Sequence, residues 1–270
     1  MSLPVPKTYK LYIGGEFVRS ESGRADRPGG VNVPRGSRKD LREAVRAARA
    51  AFPGWSRRAA ANRGQILYRA AEMLDGRRAE FMRLLGGGRA GGREVDAAVD
   101  TLVWYAGWAD KLQQVAGTVN PVAGPYFNFT IPEPAGVVGA VAPARPRLLG
   151  MARRLAPALC GGNTVVALAS EADPRAALTL AEVLATSDVP PGAVNILSGR
   201  RAELLHWLGS HMDVNAIDAA GCEDGERALL IELGAGNVKR IITPGPGDEL
   251  SLHAATALME FKTVWHPIGT

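Results

Sequence analysis

The sequence predicts an α/β fold, with a doubly wound parallel sheet following a set of N-terminal helices. Three observations carry that reading. From Gly136 onward, short runs rich in Val, Ile and Ala alternate with stretches of helical periodicity, the pattern of strands buried on both faces by crossover helices. Before Gly136, apolar residues recur at helical spacing over long stretches. Between the two textures, residues 117–130 are punctuated by turn formers and read as an extended, hairpin-like excursion.

Taken in order, residues 9–18 set strand formers on either side of Gly14 and Gly15, which predicts a small hairpin. Residues 20–37, rich in Gly, Pro, Arg and Ser, read as loop. From Lys39, the residues Leu41, Ala44, Val45, Ala48 and Phe52 share one helical face, and Pro53 with Gly54 ends the run. From Ala61, Ile66, Leu67, Ala70, Met73 and Leu74 repeat the pattern. Five glycines within residues 84–92 predict a flexible break. A long helix is expected over residues 94–114, with Val95, Val99, Leu102, Ala106 and Ala109 as its buried stripe. Trp104, Tyr105 and Trp108 lie beside that stripe and read as core aromatics, not as a base-stacking platform.

Beyond the excursion, strands are expected over residues 137–142, 163–168, 193–197, 214–217 and 238–242, and helices over 148–159, 174–186 and 202–208. Such sheets bind ligands at the carboxyl ends of their strands, most often nucleotides. There is no Gly-x-Gly-x-x-Gly, and the glycine run 86–92 follows a helix instead of a strand, so it does not qualify as a phosphate loop. Periodicity alone gives a Rossmann-like domain with an extra hairpin.

At 270 residues the chain can bury one large core or two modest ones. Hydrophobic content of 46% and charged content of 22% suit a soluble globular protein. No apolar run is long enough to cross a bilayer, and the N-terminus lacks the apolar stretch of a signal peptide, so a cytoplasmic location without membrane contact is expected. A net charge of +5 and an isoelectric point near 9.5 invite a nucleic-acid reading. The arginines, however, are spread over amphipathic helices among Glu and Asp, with no compact basic run, so nucleic acid is not expected as a partner. The two cysteines, Cys160 and Cys222, and four scattered histidines show no metal-ligand spacing, so neither a metal nor a disulfide framework is expected.

Several segments together resemble the aldehyde dehydrogenase superfamily: residues 50–56 (AAFPGWS), 124–130 (GPYFNFT), 133–139 (EPAGVVG), 156–166 (APALCGGNTVV), 190–199 (PPGAVNILSG) and 232–234 (ELG). They occur in that family's order from about Tyr9 to Ile242, and residues 104–112 and 211–217 look closest to its family-sixteen branch. The resemblance implies a coenzyme-binding half. Residues 1–116 would supply its N-terminal hairpin and helices, 117–135 an oligomerisation hairpin, 136–242 the Rossmann-like core, and 243–270 a remnant of the catalytic domain.

The departures from the family pattern shape the functional expectation. Aldehyde oxidation needs a thiolate, oxyanion donors, a base and a held nicotinamide. No cysteine follows Cys222, and laying the tail from Phe261 against the family's cysteine segment puts Ile268 in the nucleophile column. The family's oxyanion Asn run reads Pro143-Ala144-Arg145-Pro146-Arg147. Its cofactor Lys becomes Leu168, while the ribose-binding glutamate is retained as Glu171. In the turn facing the pyrophosphate, Gly221 remains, Cys222 replaces a serine, and Gly225 sits one residue early. Glu232 matches the general base and is expected at a strand end.

The expected function is a non-catalytic structural or regulatory partner of a full-length aldehyde dehydrogenase, binding NAD weakly or not at all. The partner, or a second copy of the chain, would pair with hairpin residues Tyr126–Pro134, whose stretch from Tyr126 to Ile131 is an uncharged aromatic edge that needs covering. The alternatives are an NAD-dependent aldehyde oxidoreductase subunit completed by another polypeptide, a bare nucleotide-binding module, or a degraded gene fragment.

Overall fold

The computed structural model describes residues 5–243 and 250–269. The chain opens with the hairpin β1 (Leu11–Ile13) and β2 (Glu16–Val18), then the short pair β3 (Ala25–Asp26) and β4 (Val33–Pro34) inside the segment expected to be loop. The helices α1 (Arg38–Ser56), α2 (Ala60–Gly76), α3 (Arg78–Leu84), α4 (Gly88–Trp108) and α5 (Leu112–Ala116) follow. Ser37 fixes the start of α1: its hydroxyl accepts from the Lys39 and Asp40 amides, and Asp40 Oδ2 accepts from the Ser37 amide. This reciprocal cap satisfies amides that would otherwise lack partners.

Next come β5 (Thr118–Asn120), β6 (Tyr126–Pro134) and the α/β series β7 (Val137–Val141), α6 (Arg147–Cys160), β8 (Thr164–Leu168), α7 (Arg175–Ala185), β9 (Val194–Leu197), α8 (Arg201–Ser210), β10 (Ala216–Asp218), α9 (Asp224–Ala235) and β11 (Arg240–Ile242). After the undescribed residues 244–249, α10 (Leu252–Thr256) leads into β12 (Met259–Pro267).

Among the described residues, the main sheet runs β11-β10-β7-β8-β9-β1-β2. It is parallel from β11 to β9, and β1 adds antiparallel to β9 at Tyr12 and Ile196. The chain winds outward from β7 through β8 and β9, then returns to the other side of β7 for β10 and β11, the doubly wound topology that the sequence predicts. β7 and β8 are buried along their whole length. Alternation along the strands explains how: Val138, Ala140, Val165 and Ala167 face α2, α4, α6 and α7, while Val137, Val141, Val166 and Leu168 face α1, α8 and α9.

Four expectations need correction. The glycine-rich run is not a break, because α4 already begins at Gly88 and buries Gly91 and Gly92. A Cβ on Gly91 would lie 3.4 Å from the Met82 carbonyl oxygen, an ordinary contact, so the two glycines sit in the α3–α4 contact without being required by it. The long helix ends at Trp108, and α5 stands apart from it.

The second correction concerns residues Tyr126–Pro134. Both edges of β6 are already paired within the chain, by β5 on one side and along all nine residues by β12 on the other. The tail thus covers one full edge of β6, while β5 covers the other only from Asn128 to Thr130. Third, residues 259–267 of the supposed remnant belong to this three-stranded sheet. Ile268 lies just past it, its amide donating to the Pro125 carbonyl at the hairpin's tip, not at the carboxyl end of the main sheet. Fourth, Glu232 does not sit at a strand end but on the exposed face of α9.

Candidate functional site

In a doubly wound sheet the ligand crevice opens where the winding reverses, here at the carboxyl ends of β7 and β10. The loop after β10 folds directly onto the end of β7. The Gly221 amide donates to the Val141 carbonyl at 3.1 Å. A Cβ at Gly221 would lie 2.3 Å from that oxygen and 2.4 Å from the Ala142 carbonyl carbon, so only glycine permits this approach. Gly225, by contrast, meets no atom within 4 Å in the first turn of α9.

The helices that begin at this edge expose N-terminal amides, and such amides usually hold phosphate. In this chain carboxylates of the protein take them. Glu94, reaching over from α4, accepts from the Leu148 amide at 2.7 Å and the Leu149 amide at 3.4 Å at the start of α6. Asp173 accepts from the Arg175 amide at 3.2 Å at the start of α7. Glu171 accepts from the Arg201 amide at 3.0 Å at the start of α8. At α9, Glu223, Asp224 and Glu226 crowd the first turn, and Glu226 accepts from the Glu223 amide at 2.9 Å.

The Arg201 side chain closes the crevice between these helices. Its Nη2 donates to the Ala142 carbonyl at 2.6 Å and its Nη1 to Glu226 at 3.2 Å, with the side chain only 12% exposed. Beneath it, Arg154 of α6 and Asp218 at the end of β10 form a buried ion pair at 3.0 Å. Burial pushes the Asp218 carboxyl up, against the pull of Arg154 and of the Ala220 amide. A second pair of cations, Arg147 and Arg175, meets Asp173 nearby. Burial would raise the Asp173 carboxyl, but the Arg175 hydrogen bonds and the two charges hold it below the usual carboxylate range.

Neither cysteine is poised for chemistry. Cys222 is 5% exposed, and burial together with the Glu226 carboxylate pushes its thiol up to about 12. Cys160 is fully buried at the end of α6, and burial pushes it up to about 12 as well. A thiol this far above neutrality is almost wholly protonated at pH 7 and is a poor nucleophile.

The structure gathers Glu171, Gly221 and the start of the Gly225 helix at the crevice and leaves Glu232 exposed on α9. Leu168, the last residue of β8, is packed in the core, and Arg145 is exposed on the loop after β7. Sequence reasoning missed Glu94 and Arg201. Glu94 acts across 54 residues of chain, which periodicity cannot show. Arg201 left a signal: Gly199-Arg200-Arg201 puts two large cations at a turn where a phosphate-binding crevice would use small residues.

No helix among the described residues is long and apolar enough to cross a membrane. Nor does a cluster of His, Cys, Asp and Glu suited to a metal ion occur among them.

Comparison with known proteins agrees with this architecture. The profile of the Aldehyde dehydrogenase family matches residues 25–250. Retinal dehydrogenase 2 of Mus musculus is 34% identical over 271 aligned positions, covering 94% of this chain and 52% of that protein. Omega-crystallin of Enteroctopus dofleini is 32% identical, with 88% of this chain and 50% of the relative covered. Among solved structures, HpcC from Thermus thermophilus superposes with a TM-score of 0.81 at 30% identity, covering 87% of this chain and 47% of that one. The NAD+ complex of an aldehyde dehydrogenase from Bacillus cereus gives 0.80 at 26% identity, with 87% and 50% covered. The chain thus spans about half the length of the relatives it matches.

Proposed function

Because the chain belongs to the aldehyde dehydrogenase family, and both of its cysteines are buried thiols pushed up to about 12, we propose that it works as a non-catalytic structural or regulatory partner of a full-length aldehyde dehydrogenase. The thiols carry the reading. Aldehyde oxidation on this scaffold begins with thiolate attack, and neither Cys160 nor Cys222 offers a thiolate near neutral pH.

NAD binding is weak or absent on this reading, because the crevice as built does not fit a pyrophosphate. The amides at the starts of α6, α7 and α8 already serve Glu94, Asp173 and Glu171, and three carboxylates at the start of α9 repel a second anion. Arg201 fills the gap between α8, α9 and the end of β7. Glu171 and Glu232 then have structural roles here, as a cap and as a solvated side chain.

The partner docks on the three-stranded sheet that contains Tyr126–Pro134, at the outer edge of β12 and not at β6. That sheet leaves Trp265 59%, Phe261 50%, Phe127 45% and Tyr126 43% exposed, an apolar surface that supports association. Self-pairing of two β12 edges is the fallback. Co-purification with a full-length aldehyde dehydrogenase tests this reading. The complex should form with the wild-type chain and weaken at least tenfold with Phe261→Lys and Trp265→Lys together. Equal binding by that variant removes the docking assignment.

A second reading, a subunit whose NAD-dependent activity is completed by another polypeptide, draws on the NAD-bound structural neighbours. The discriminating assay is NAD-linked aldehyde oxidation by the purified chain, alone and with the partner. Turnover above a heat-killed control that Cys222→Ser abolishes would sink the non-catalytic reading.

A further inference from the structure

A cavity of about 680 Å³ opens at the amino end of the parallel sheet, away from the crevice. Arg57, Arg58 and Arg63 line it, with Phe52, Leu112 and Met259 among its apolar walls. We propose that this cavity is a binding site for a small phosphomonoester with an apolar body.

The argument is one of charge balance. Arg63 is held by main-chain oxygens alone: Nη1 donates to Arg58 at 2.7 Å and Ser56 at 3.3 Å, and Nε to Cys160 at 3.4 Å. Arg57 donates to the Pro53 carbonyl at 3.0 Å, and Arg58 to the Asn62 side chain at 2.7 Å. Among the described residues, no carboxylate forms an ion pair with any of the three. The other charged groups on the walls are already matched, Lys262 with Glu133 and Glu260 with Arg240.

Ser56 and Cys160 close α1 and α6, and a helix C-terminus carries roughly half a negative charge. Two such ends offset about one of the three positive charges. The start of α2, with Ala60 on the cavity wall, returns about half a positive charge, because no side chain caps it and its first turn holds no acid. A net charge of roughly +2 to +3 therefore faces a half-open cleft of ligand size. Guanidinium forks match phosphate oxygens, and the aromatic and aliphatic walls match an apolar body.

Calorimetric titration of the purified chain with phenyl phosphate, inorganic phosphate, benzoate and phenol tests the site. Phenyl phosphate should bind most tightly, inorganic phosphate more weakly, and phenol not measurably. Arg57→Ala with Arg58→Ala, both exposed and expected to fold, should weaken phenyl phosphate at least tenfold. Arg42→Ala with Arg46→Ala, on the exposed face of α1, should leave it unchanged. No binding of phenyl phosphate at about 10 mM, a range the affinity arithmetic places below useful recognition, overturns the site. So does undiminished binding by the Arg57/Arg58 variant, or an equal loss in the Arg42/Arg46 variant. Benzoate binding as tight as phenyl phosphate overturns the phosphate assignment.

Discussion

The two ends of the parallel sheet solve opposite electrostatic problems with opposite residues. At the carboxyl end four helices start, and acids meet their amides: Glu94, Asp173, Glu171 and the Glu223–Glu226 turn. At the amino end helices finish, and bases meet their carbonyls. Arg63 serves the ends of α1 and α6, and Lys239 donates to His211 at 2.8 Å and Val214 at 2.6 Å beyond α8. Both ends are complementary to the helix dipole. The difference is in balance. At the carboxyl end Asp173, Asp218 and Glu226 are themselves paired with Arg147, Arg175, Arg154 and Arg201, whereas several cations at the amino end rest on partial charges alone.

The comparison breaks most readily at the buried pair. Arg154→Ala strands Asp218 in the core without its counterion, and should cost about 3–5 kcal/mol in urea unfolding. A loss under about 1 kcal/mol would mean that Asp218 simply takes up a proton, and that pairing at this end is not structural.

The amino end has its own signature in pH. Burial pushes the Lys239 ammonium down to about 8, from an ordinary value of 10.5. Below pH 8 both the folded and unfolded chains carry that proton, and the burial penalty is fully present. Between about 8 and 10.5 the unfolded chain holds more protons, so stability rises with pH, by about 1 kcal/mol per pH unit at most. The buried thiols work the other way and already offset the lysine as pH nears their ordinary value of 9.0, so the lysine dominates only up to about pH 8 and the comparison with a lysine-free variant isolates it beyond that. Lys239→Met should flatten the curve there. An unchanged slope would show that the carbonyls of His211 and Val214 compensate the ammonium for its burial.

The smallest expected effects sharpen the contrast. Glu94→Ala uncaps α6 and should cost about 1 kcal/mol. Arg58→Ala, whose side chain is exposed at the amino end, should stay within about 0.5 kcal/mol. Equal costs for the two would erase the distinction between a structural acid and an unbalanced base.

Much of the fold is legible because it is written in periods. The strands from Val137 to Leu168 are uninterrupted apolar runs, and α1, α6 and α7 show one-sided or enclosed patterns that only a layered sheet satisfies. The failures have physical causes. Glycines at 88, 91 and 92 read as a break, since glycine is a poor helix former, but they occupy only the first turns of α4, whose buried stripe from Val95 to Tyr105 holds the helix in place. Glu232 is expected at a strand end, yet the Glu223–Glu226 capping box starts α9 upstream and the helix runs through Glu232 to Ala235. The crevice is legible in Gly221, Gly225 and Glu171, and in the cations at Arg200 and Arg201. Its closing contacts join residues far apart in the chain, so the partners of Glu94 and Arg201 cannot be read from local pattern.

The pairing of β12 with β6 has a consequence for how the molecule comes apart. Thr130 and Thr263 meet at 2.9 Å across a sequence separation of 133 residues, whereas β7 and β8 pair across 27 (Val137 with Thr164). Closing so long a loop is entropically costly, and the outward strand buries only Met259 in return. Amides along β12 should therefore exchange with solvent by local opening, well before those of β7 and β8. Trp265, stacked edge-on against Tyr126 at 5.8 Å, gives that opening a fluorescence signal separate from global unfolding.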